Sequence, residues 1–344
     1  MRVTMKEIAE RAGVHQATVD KVVHNRVGVS DEVRAKVQAI IDELGYKPNP
    51  TGRVLQRQGK KYRIYAILVD VDALPYLKNG IEQGLKEWAG FDIEVTHAVT
   101  GFQEAKRQSE YIDKAVLDKA DGIILSPINA DCVRRAIDRA VDAGIPVITT
   151  DSDIDGSRRT CCVSIDSAKA SRIAGRLLGQ FLNGQGKIAI ISSAIETENN
   201  NYYVRMREQG FTDFIRREYP EIEIVSCIES FEDPQITYRK TTELLKEQPE
   251  LRGLYITCGG VAQVGRALIE SGRADSIRVL CYEDYPEIVE LIRQGVVDWT
   301  LGGEKAAQGS LPVKLIMDQL VFGRKPATDR IFTDARILIK ECFE

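Results

Sequence analysis

Residues 4–23 read TMKEIAERAGVHQATVDKVV and contain two short apolar periodicities separated by a glycine. Thr4 and Glu7 have the spacing of a capping box, which predicts that a helix begins here. Gly13 favours a sharp turn, because glycine adopts a positive φ at little steric cost. A second helix is then predicted from about His15 to His24. Its expected buried positions are Val14, either Ala17 or Thr18, Val19, Val22 and Val23.

A third helix is predicted to begin after Ser30. Ser30 is a favourable N-cap, and Asp31 and Glu32 follow it in the positively polarised first turn. Gly45 is the predicted end of this helix. Three short helices with a glycine-containing turn after the first are typical of a helix-turn-helix. On periodicity alone, an ordinary three-helix cap fits equally well.

The charge of the chain is unevenly distributed. Of the 344 residues, the first 63 carry 13 Lys/Arg against 7 Asp/Glu, whereas the remainder carries 34 against 44. A basic head on an acidic body indicates that only the head meets a polyanion such as nucleic acid. Many solvated surfaces are equally basic, so charge alone leaves both interpretations open.

Residues 3–49, VTMKEIAERAGVHQATVDKVVHNRVGVSDEVRAKVQAIIDELGYKPN, resemble the DNA-binding domain of the lactose- and galactose-repressor family. The resemblance implies that Gln16 and Ala17 read base edges and that Lys21 reaches guanine or phosphate. Two positions depart from the family pattern, because His15 and Asp20 each stand where the family usually has Ser. A carboxylate near the phosphates is repelled by them, so the operator sequence of relatives does not carry over to this chain. Four further residues match family positions that contact the DNA backbone, namely Thr4, Thr18, Asn25 and Ser30. These side chains could instead only cap helices or face solvent.

Residues 47–62 resemble the hinge of that family, which folds into a short helix on operator DNA. The motif includes Asn49, and it implies that Arg53 contacts the groove and that Leu55 is a minor-groove wedge. Gly52 stands where Ala is usual, which weakens such a helix by roughly 1 kcal/mol. Without the motif, this composition is that of a plain linker.

From residue 63 onward, apolar runs alternate with amphipathic helices. Examples are YAILVD before a helix near 76–89, and GIILSPI before a helix near 130–143. This repeated β-α unit predicts parallel sheets with helices on both faces. About 280 residues with two such series predict two doubly wound lobes, whose ligand lies beyond the carboxyl ends of the strands.

The same segment resembles the periplasmic sugar-binding-protein fold, close to its ribose-binding branch, through loose motifs such as DGIILSP and AGIPVITTDSD. The resemblance implies that Asp151 accepts from sugar hydroxyls, with Arg207 as the pocket arginine. Phe231 would stack on the sugar and Glu283 would supply a second carboxylate. The alternatives are a strand-end cap for Asp151 and core packing for Phe231. Departures that reshape the pocket are Cys258 for Asn, Gly303 for Gln, and Leu74 with Tyr76 for paired aromatics.

Other classes of protein find little support. Seven cysteines without a CxxC motif indicate reduced thiols, and the N-terminal residues lack the apolar core of a signal peptide. No apolar run approaches the roughly 18 residues of a membrane span, so a cytoplasmic protein without a membrane partner is expected. Residues 151–156 imitate half of a calcium loop, but Cys162 occupies its closing position. No catalytic residue, metal or cofactor is predicted.

These patterns predict an all-α helix-turn-helix head at 1–46, a hinge at 47–62, and a two-lobed α/β body at 63–344. The expected function is that of a sequence-specific DNA-binding transcriptional regulator, in most cases a repressor. Its expected partners are a near-palindromic duplex operator, a sugar-like effector and a second copy of the chain. The alternative is a cytoplasmic sugar-binding protein or enzyme that uses the body alone.

Overall fold

The computed structural model describes residues 5–23, 27–44, 59–194 and 202–344. Contacts divide the chain into two units, Met1–Gln58 and Gly59–Glu344, here called the head and the body. The predicted boundaries of the hinge stay predictions, because residues 45–58 lie outside the described residues. Within the described parts of the chain, no helix combines the length and the apolarity needed to cross a bilayer.

The head contains three helices, α1 (Met5–Ala12), α2 (Gln16–Val23) and α3 (Asp31–Glu43). Gly13, with a φ of 66°, forms the turn between the first two, as the sequence predicts. Ser30 caps α3, since its Oγ accepts a hydrogen bond from the Val33 amide at 3.4 Å. The fully buried residues at the centre of the core are Ile8, Val19 and Val37.

The first lobe of the body is a six-stranded sheet in the order β11-β5-β4-β3-β1-β2, in which all neighbouring strands are parallel. Its strands are β1 (Lys61–Val69), β2 (Asp92–Thr100), β3 (Gly122–Leu125), β4 (Val147–Thr150), β5 (Cys161–Ile165) and β11 (Arg330–Thr333). The helices connecting its first four strands are α4 (Leu74–Lys86), α5 (Ala105–Leu117) and α6 (Asp131–Asp142).

The second lobe is a six-stranded sheet in the order β12-β10-β9-β8-β6-β7. Its strands are β6 (Gln185–Ser192), β7 (Glu221–Glu229), β8 (Leu251–Ile256), β9 (Arg278–Tyr282), β10 (Trp299–Gly302) and β12 (Arg336–Leu338), of which only β12 pairs antiparallel. Its helices are α7 (Ser167–Phe181), α8 (Tyr202–Glu218), α9 (Pro234–Glu247), α10 (Val261–Glu270) and α11 (Pro286–Arg293). The predicted pair of doubly wound lobes is therefore confirmed.

The chain passes between the lobes three times: after β5, after β10, and between β11 and β12. The second passage is followed by the long helix α12 (Lys305–Phe322), which packs against α4 of the first lobe. Glycines permit this close contact. A Cβ on Gly80 would lie 2.2 Å from the Ala306 carbonyl oxygen, and one on Gly309 would lie 2.3 Å from that of Leu77. The contact fixes the first residue of α12, Lys305, close to the junction of the lobes.

Candidate functional site

A cavity of about 240 Å³ lies between the carboxyl ends of the two sheets. The first lobe contributes residues that follow β1 and β4, and the second contributes residues that follow β7, β8 and β9. The position agrees with the general rule that parallel α/β sheets bind ligands beyond the ends of their strands. Four of the five predicted effector residues line it, namely Asp151, Arg207, Cys258 and Glu283.

The loops at these strand ends contain an unusual concentration of left-handed backbone. Asp151 has a φ of 63°, Glu283 a φ of 72° and Glu232 a φ of 54°. Residues with a Cβ rarely adopt this conformation, and it costs of order 1–3 kcal/mol where it occurs. The surrounding body holds these carboxylates in strained positions at the cavity, which is typical of a functional site.

An ion cluster joins the lobes at the wall of the cavity, which two of its members line. The Lys305 ammonium contacts the Asp151 carboxylate of the first lobe and lies 3.2 Å from Glu283 Oε1 of the second. All three side chains are largely buried. Burial alone would lower the pKa of Lys305, but the charges of Asp151 and Glu283 raise it overall. The ammonium therefore stays protonated and forms ion pairs with both carboxylates, and Arg207 supplies the second positive charge of the cluster.

Arg207, on α8, is held at the cavity by three different contacts. Its Nη1 donates to the Thr257 carbonyl at 3.0 Å, and its Cζ lies 3.7 Å from the centroid of the Tyr282 ring. Its Nη2 lies 3.9 Å from Glu283 Oε1. These contacts orient the guanidinium so that its plane is fixed before any ligand arrives.

Two buried polar atoms of this cluster have no hydrogen-bond partner among the described residues. They are Arg207 Nε and Glu283 Oε2, in side chains that both line the cavity. A buried donor or acceptor without a partner costs about 1–3 kcal/mol. A donor and an acceptor left open beside an aromatic ring are what a polyhydroxylated molecule would satisfy.

Of the predicted effector residues Cys258 and Phe231, only Cys258 lines the cavity. Cys258 lines the cavity with its Sγ 3.6 Å from Ser230 Oγ, and burial raises the pKa of its thiol, so it remains uncharged. Phe231 is not among the residues that line the cavity. Its ring is at the surface, 37% exposed, with the Lys240 ammonium 5.6 Å from its centroid. The adjacent Glu232 enters the cavity instead.

Several residues at the cavity were missed from sequence. Tyr282 is the last residue of β9, and Asp72, Glu232 and Tyr285 each lie three residues after the end of a strand, so their position in the β-α repeat was the available signal. Tyr76, singled out only as a departure from the family, stacks on Tyr285 across the lobes with ring centroids 4.5 Å apart and planes at 18°. Lys305 had no local signal, because it acts 154 positions away from Asp151.

The head presents a second candidate surface, formed by α2 and the residue before it. His15, Gln16, Ala17 and Lys21 are exposed there, whereas Thr18 is half-buried and Val19 is fully buried. Thr18 and not Ala17 therefore faces the core, which resolves the two alternatives left open by the sequence. The exposed group is compatible with the base-reading and phosphate-contacting roles expected from the resemblance.

Other predicted DNA contacts lie outside the described residues, namely Thr4, Asn25, Asn49, Arg53 and Leu55. Ser30 is described and is exposed, but its hydroxyl already accepts from the Val33 amide. Its capping role is thus established in the structure, and a phosphate contact by Ser30 stays a prediction.

Two family models match the chain. One, described as periplasmic binding protein domain, covers residues 36–325, and the other, described as bacterial regulatory proteins, lacI family, covers residues 4–49. Together these matches account for both units.

Individual relatives are distant. The ribose operon repressor of Lactococcus lactis subsp. lactis is 26% identical over 64% of this chain and 65% of its own length, so the match spans just under two thirds of that relative. The D-ribose/D-allose-binding protein of Pseudomonas aeruginosa is 22% identical over 74% of this chain and 80% of its length. An ABC-transporter solute-binding protein of Burkholderia graminis, solved in complex with D-arabinose, superposes with a TM-score of 0.75. It is 22% identical, covering 81% of this chain and 96% of that one, which shows a shared fold.

Proposed function

Because this chain belongs to the periplasmic-binding-protein family and its head belongs to the lacI family of bacterial regulatory proteins, we propose that it is a sequence-specific transcriptional regulator. Its operator affinity is controlled by a small polyhydroxylated effector in the body. The observation that carries the proposal is the presence, in one chain, of an exposed recognition helix and a preorganised interlobe cavity. We propose no catalysed reaction, and a DNA target places its action in the cytoplasm.

Base recognition is assigned to the beginning of α2. Gln16 is exposed and has the donor and acceptor pair that matches the major-groove edge of adenine. Lys21 is exposed on the same helix, and its ammonium is suited to a phosphate or to guanine. Two copies of a helix-turn-helix read two half-sites, so a homodimer on a near-palindromic operator is the expected assembly.

Effector binding is assigned to the cavity at Arg207 and Glu283. A sugar hydroxyl beside Glu283 Oε2 and a ring oxygen or hydroxyl beside Arg207 Nε would satisfy both open groups at once. Because the ion cluster spans the two lobes, such a ligand favours the lobe arrangement in which these groups converge. It changes operator affinity only by as much as it prefers that arrangement over others.

Selection from a random duplex library by the full-length protein tests the DNA-binding part. We expect enrichment of a near-palindromic sequence, with an affinity that falls linearly on a logarithmic scale as salt increases. The variant Lys21→Ala should show a shallower salt dependence. If the selection enriches no sequence, or if the affinity for DNA does not change with salt, the protein is not a sequence-specific regulator.

A further inference from the structure

Positive and negative charges nearly cancel in one part of the cavity, whereas another part has carboxylates with which no described cation pairs. Asp151 and Glu283 are accompanied by Lys305 and Arg207, so that part is close to neutral. A second cavity shares Asp72, Tyr285 and Glu287 with this one and is here called the outer cavity. The other carboxylates that line the two cavities have no ion-pair partner among the described residues. They are Asp70, Asp72, Glu232 and Glu287. The unbalanced part therefore has an excess of negative charge.

Two of these carboxylates face the same small space from opposite lobes. A Cβ placed on Gly259 would lie 3.0 Å from Glu232 Oε2 and 3.3 Å from Asp72 Oδ2. Asp72 follows β1 of the first lobe, whereas Glu232 follows β7 of the second. The absence of a side chain on Gly259 leaves this space open between the two oxygens.

Tyrosine rings lie beside the carboxylates. Tyr285 lines both cavities, and Tyr76, stacked against it from the other lobe, lines the outer one together with Asp72 and Glu287. The pKa of Tyr76 is raised by partial burial and by the charges of Glu287, Asp284 and Asp72. Carboxylates combined with aromatic rings are the usual protein environment for an organic ammonium group.

The open groups deeper in the cavity point independently to a ligand. Glu283 and Arg207 are 8% and 7% exposed, line the cavity, and have Oε2 and Nε without partners. Neither atom belongs to the unbalanced carboxylates. A single ligand would therefore meet hydroxyl-binding groups at one end and an acidic subsite at the other.

The carboxylates of Asp72 and Glu232 repel each other. Burial raises the pKa of Glu232, and the charges of Asp72 and Asp151 raise it further, against a lowering by Ser193 and Arg207. Partial burial and the charge of Glu287 raise the pKa of Asp72. This repulsion opposes the approach of the lobes until a cation lies between the two groups.

We propose that the effector is a polyhydroxylated molecule that carries a protonated amine, as an amino sugar does, and that its ammonium lies between Asp72 and Glu232. The inference rests on the proposed function, since it names the chemical class of the effector for that same cavity. Ammonium binding removes the repulsion between the lobes, so the charge of the ligand itself favours the closed arrangement.

An anionic effector such as a sugar phosphate fits these surroundings poorly. The beginning of α10 lies at the cavity, and a helix N-terminus attracts anions. However, the Glu232 carboxylate already approaches Gly259, the residue before the Gly260 N-cap. A phosphate placed there would meet a carboxylate without an intervening cation.

Isothermal titration calorimetry on the full-length protein tests the proposal with matched pairs. The probes are D-glucosamine with D-glucose, D-galactosamine with D-galactose, and D-mannosamine with D-mannose. We expect at least one amino sugar to bind about tenfold or more tightly than its neutral partner, a difference of about 1.4 kcal/mol. Asp72→Asn and Glu232→Gln should each reduce that preference, and Gly259→Ala should reduce it by occupying the space without changing charge.

Asp92→Asn is the matched control, because Asp92 is exposed at the beginning of β2, at the edge of the sheet opposite the cavity. It should leave the preference unchanged. Asp72→Asn and Glu232→Gln should also raise the melting temperature of the ligand-free protein, which shows that the variants fold and that the repulsion is removed.

Neutral sugars that bind as tightly as their amino partners, or the failure of all three amino sugars to bind the wild-type protein, would overturn the inference. Binding to the selected DNA duplex is measured on the same preparations. DNA binding that is released by a neutral sugar would leave the proposed function intact while rejecting the amine. Loss of sequence-specific DNA binding would reject the proposed function itself.

Discussion

The head and the body hold their polar groups in opposite ways. The predicted DNA-reading residues of the head, such as Gln16 and Lys21, are exposed and extend from a small core. The effector residues of the body, such as Arg207 and Glu283, are buried and linked through Lys305. Substitutions in the head should therefore act separately, whereas those in the body should act on the whole cluster.

The largest expected effect is that of Lys305→Met, which removes the cation from the buried cluster. Asp151 and Glu283 would then depend on Arg207 alone, so we expect a loss of about 3–5 kcal/mol in the free energy of unfolding. Chemical denaturation of the body measures it. The matched control is Lys314→Met on the same helix, whose ammonium lies 2.6 Å from Asp318 in a half-exposed pair. It should cost less than about 1 kcal/mol, and equal losses in the two variants would show that Lys305 has no special role.

Gln16→Ala is expected to affect DNA recognition without affecting the body. We expect a loss of about 1–3 kcal/mol at one symmetric pair of operator positions, with relaxed base preference there. Binding to single-base operator variants measures it. Gln38→Ala on α3, whose amide donates to Asp42 at 2.9 Å, is the control and should leave base preference unchanged. A uniform loss on every operator variant would contradict base reading by Gln16.

Ser30 offers a smaller test that separates the two units. Ser30→Ala removes the cap of α3 and should lower the stability of the head by about 0.5–2 kcal/mol, leaving the unfolding transition of the body unchanged. Ser30→Asp keeps a capping oxygen but places a negative charge at a predicted phosphate contact. If it restores stability and still weakens DNA binding, Ser30 contacts the phosphate. If Ser30→Asp restores both the stability of the head and DNA binding, Ser30 acts only as a helix cap.

The smallest effect is the pH dependence of the ligand-free body. The pKa values of Asp72 and Glu232 are raised, so the folded state binds more protons than the unfolded state between the ordinary and the raised values. These two groups therefore reduce stability as the pH rises through that window. The groups that face them are Asp151, Glu287, Ser193 and Arg207.

Thermal denaturation across that pH window measures the contribution of the pair. Asp72→Asn combined with Glu232→Gln should flatten the decline in melting temperature, whereas Asp92→Asn should retain it. An unchanged decline in the double variant would assign the pH dependence to other groups.

Local patterns predicted the head well because its elements depend on neighbouring residues. The Gly13 turn and the Ser30 cap each act within a few residues of the chain, and both are present. The β-α alternation predicted the two lobes for the same reason, since each strand and helix carries its own periodicity. What periodicity left open was the choice between Ala17 and Thr18, which depends on the exact rotation of α2.

The cavity was only partly predictable. Asp151 and Glu283 come directly after strands and therefore lie where parallel sheets bind ligands, but their partner Lys305 is the first residue of a helix that begins just after the chain has passed from one lobe to the other. The sequence suggested Phe231 as a stacking ring, whereas in the structure Phe231 is at the surface and Glu232 lines the cavity, and both residues have left-handed backbone that no local pattern predicts. Long-range contacts and unusual backbone conformations are what a single sequence reveals least.

The most direct test of the central claim is whether a ligand of the cavity changes operator affinity. Fluorescence anisotropy of the full-length protein on its selected duplex is measured with and without each sugar and amino sugar of the panel. It is repeated for Arg207→Lys, which keeps the charge but loses the guanidinium plane over Tyr282, and for Arg205→Lys, an exposed control on the same helix.

We expect at least one compound to change the affinity of the wild-type protein and of Arg205→Lys by about 5- to 150-fold, the usual range of allosteric coupling. Arg207→Lys should bind the duplex normally and lose most of that response. A response of Arg207→Lys equal to that of the wild-type protein, or no response of the wild-type protein to any compound in the panel, would contradict control of DNA binding from this cavity.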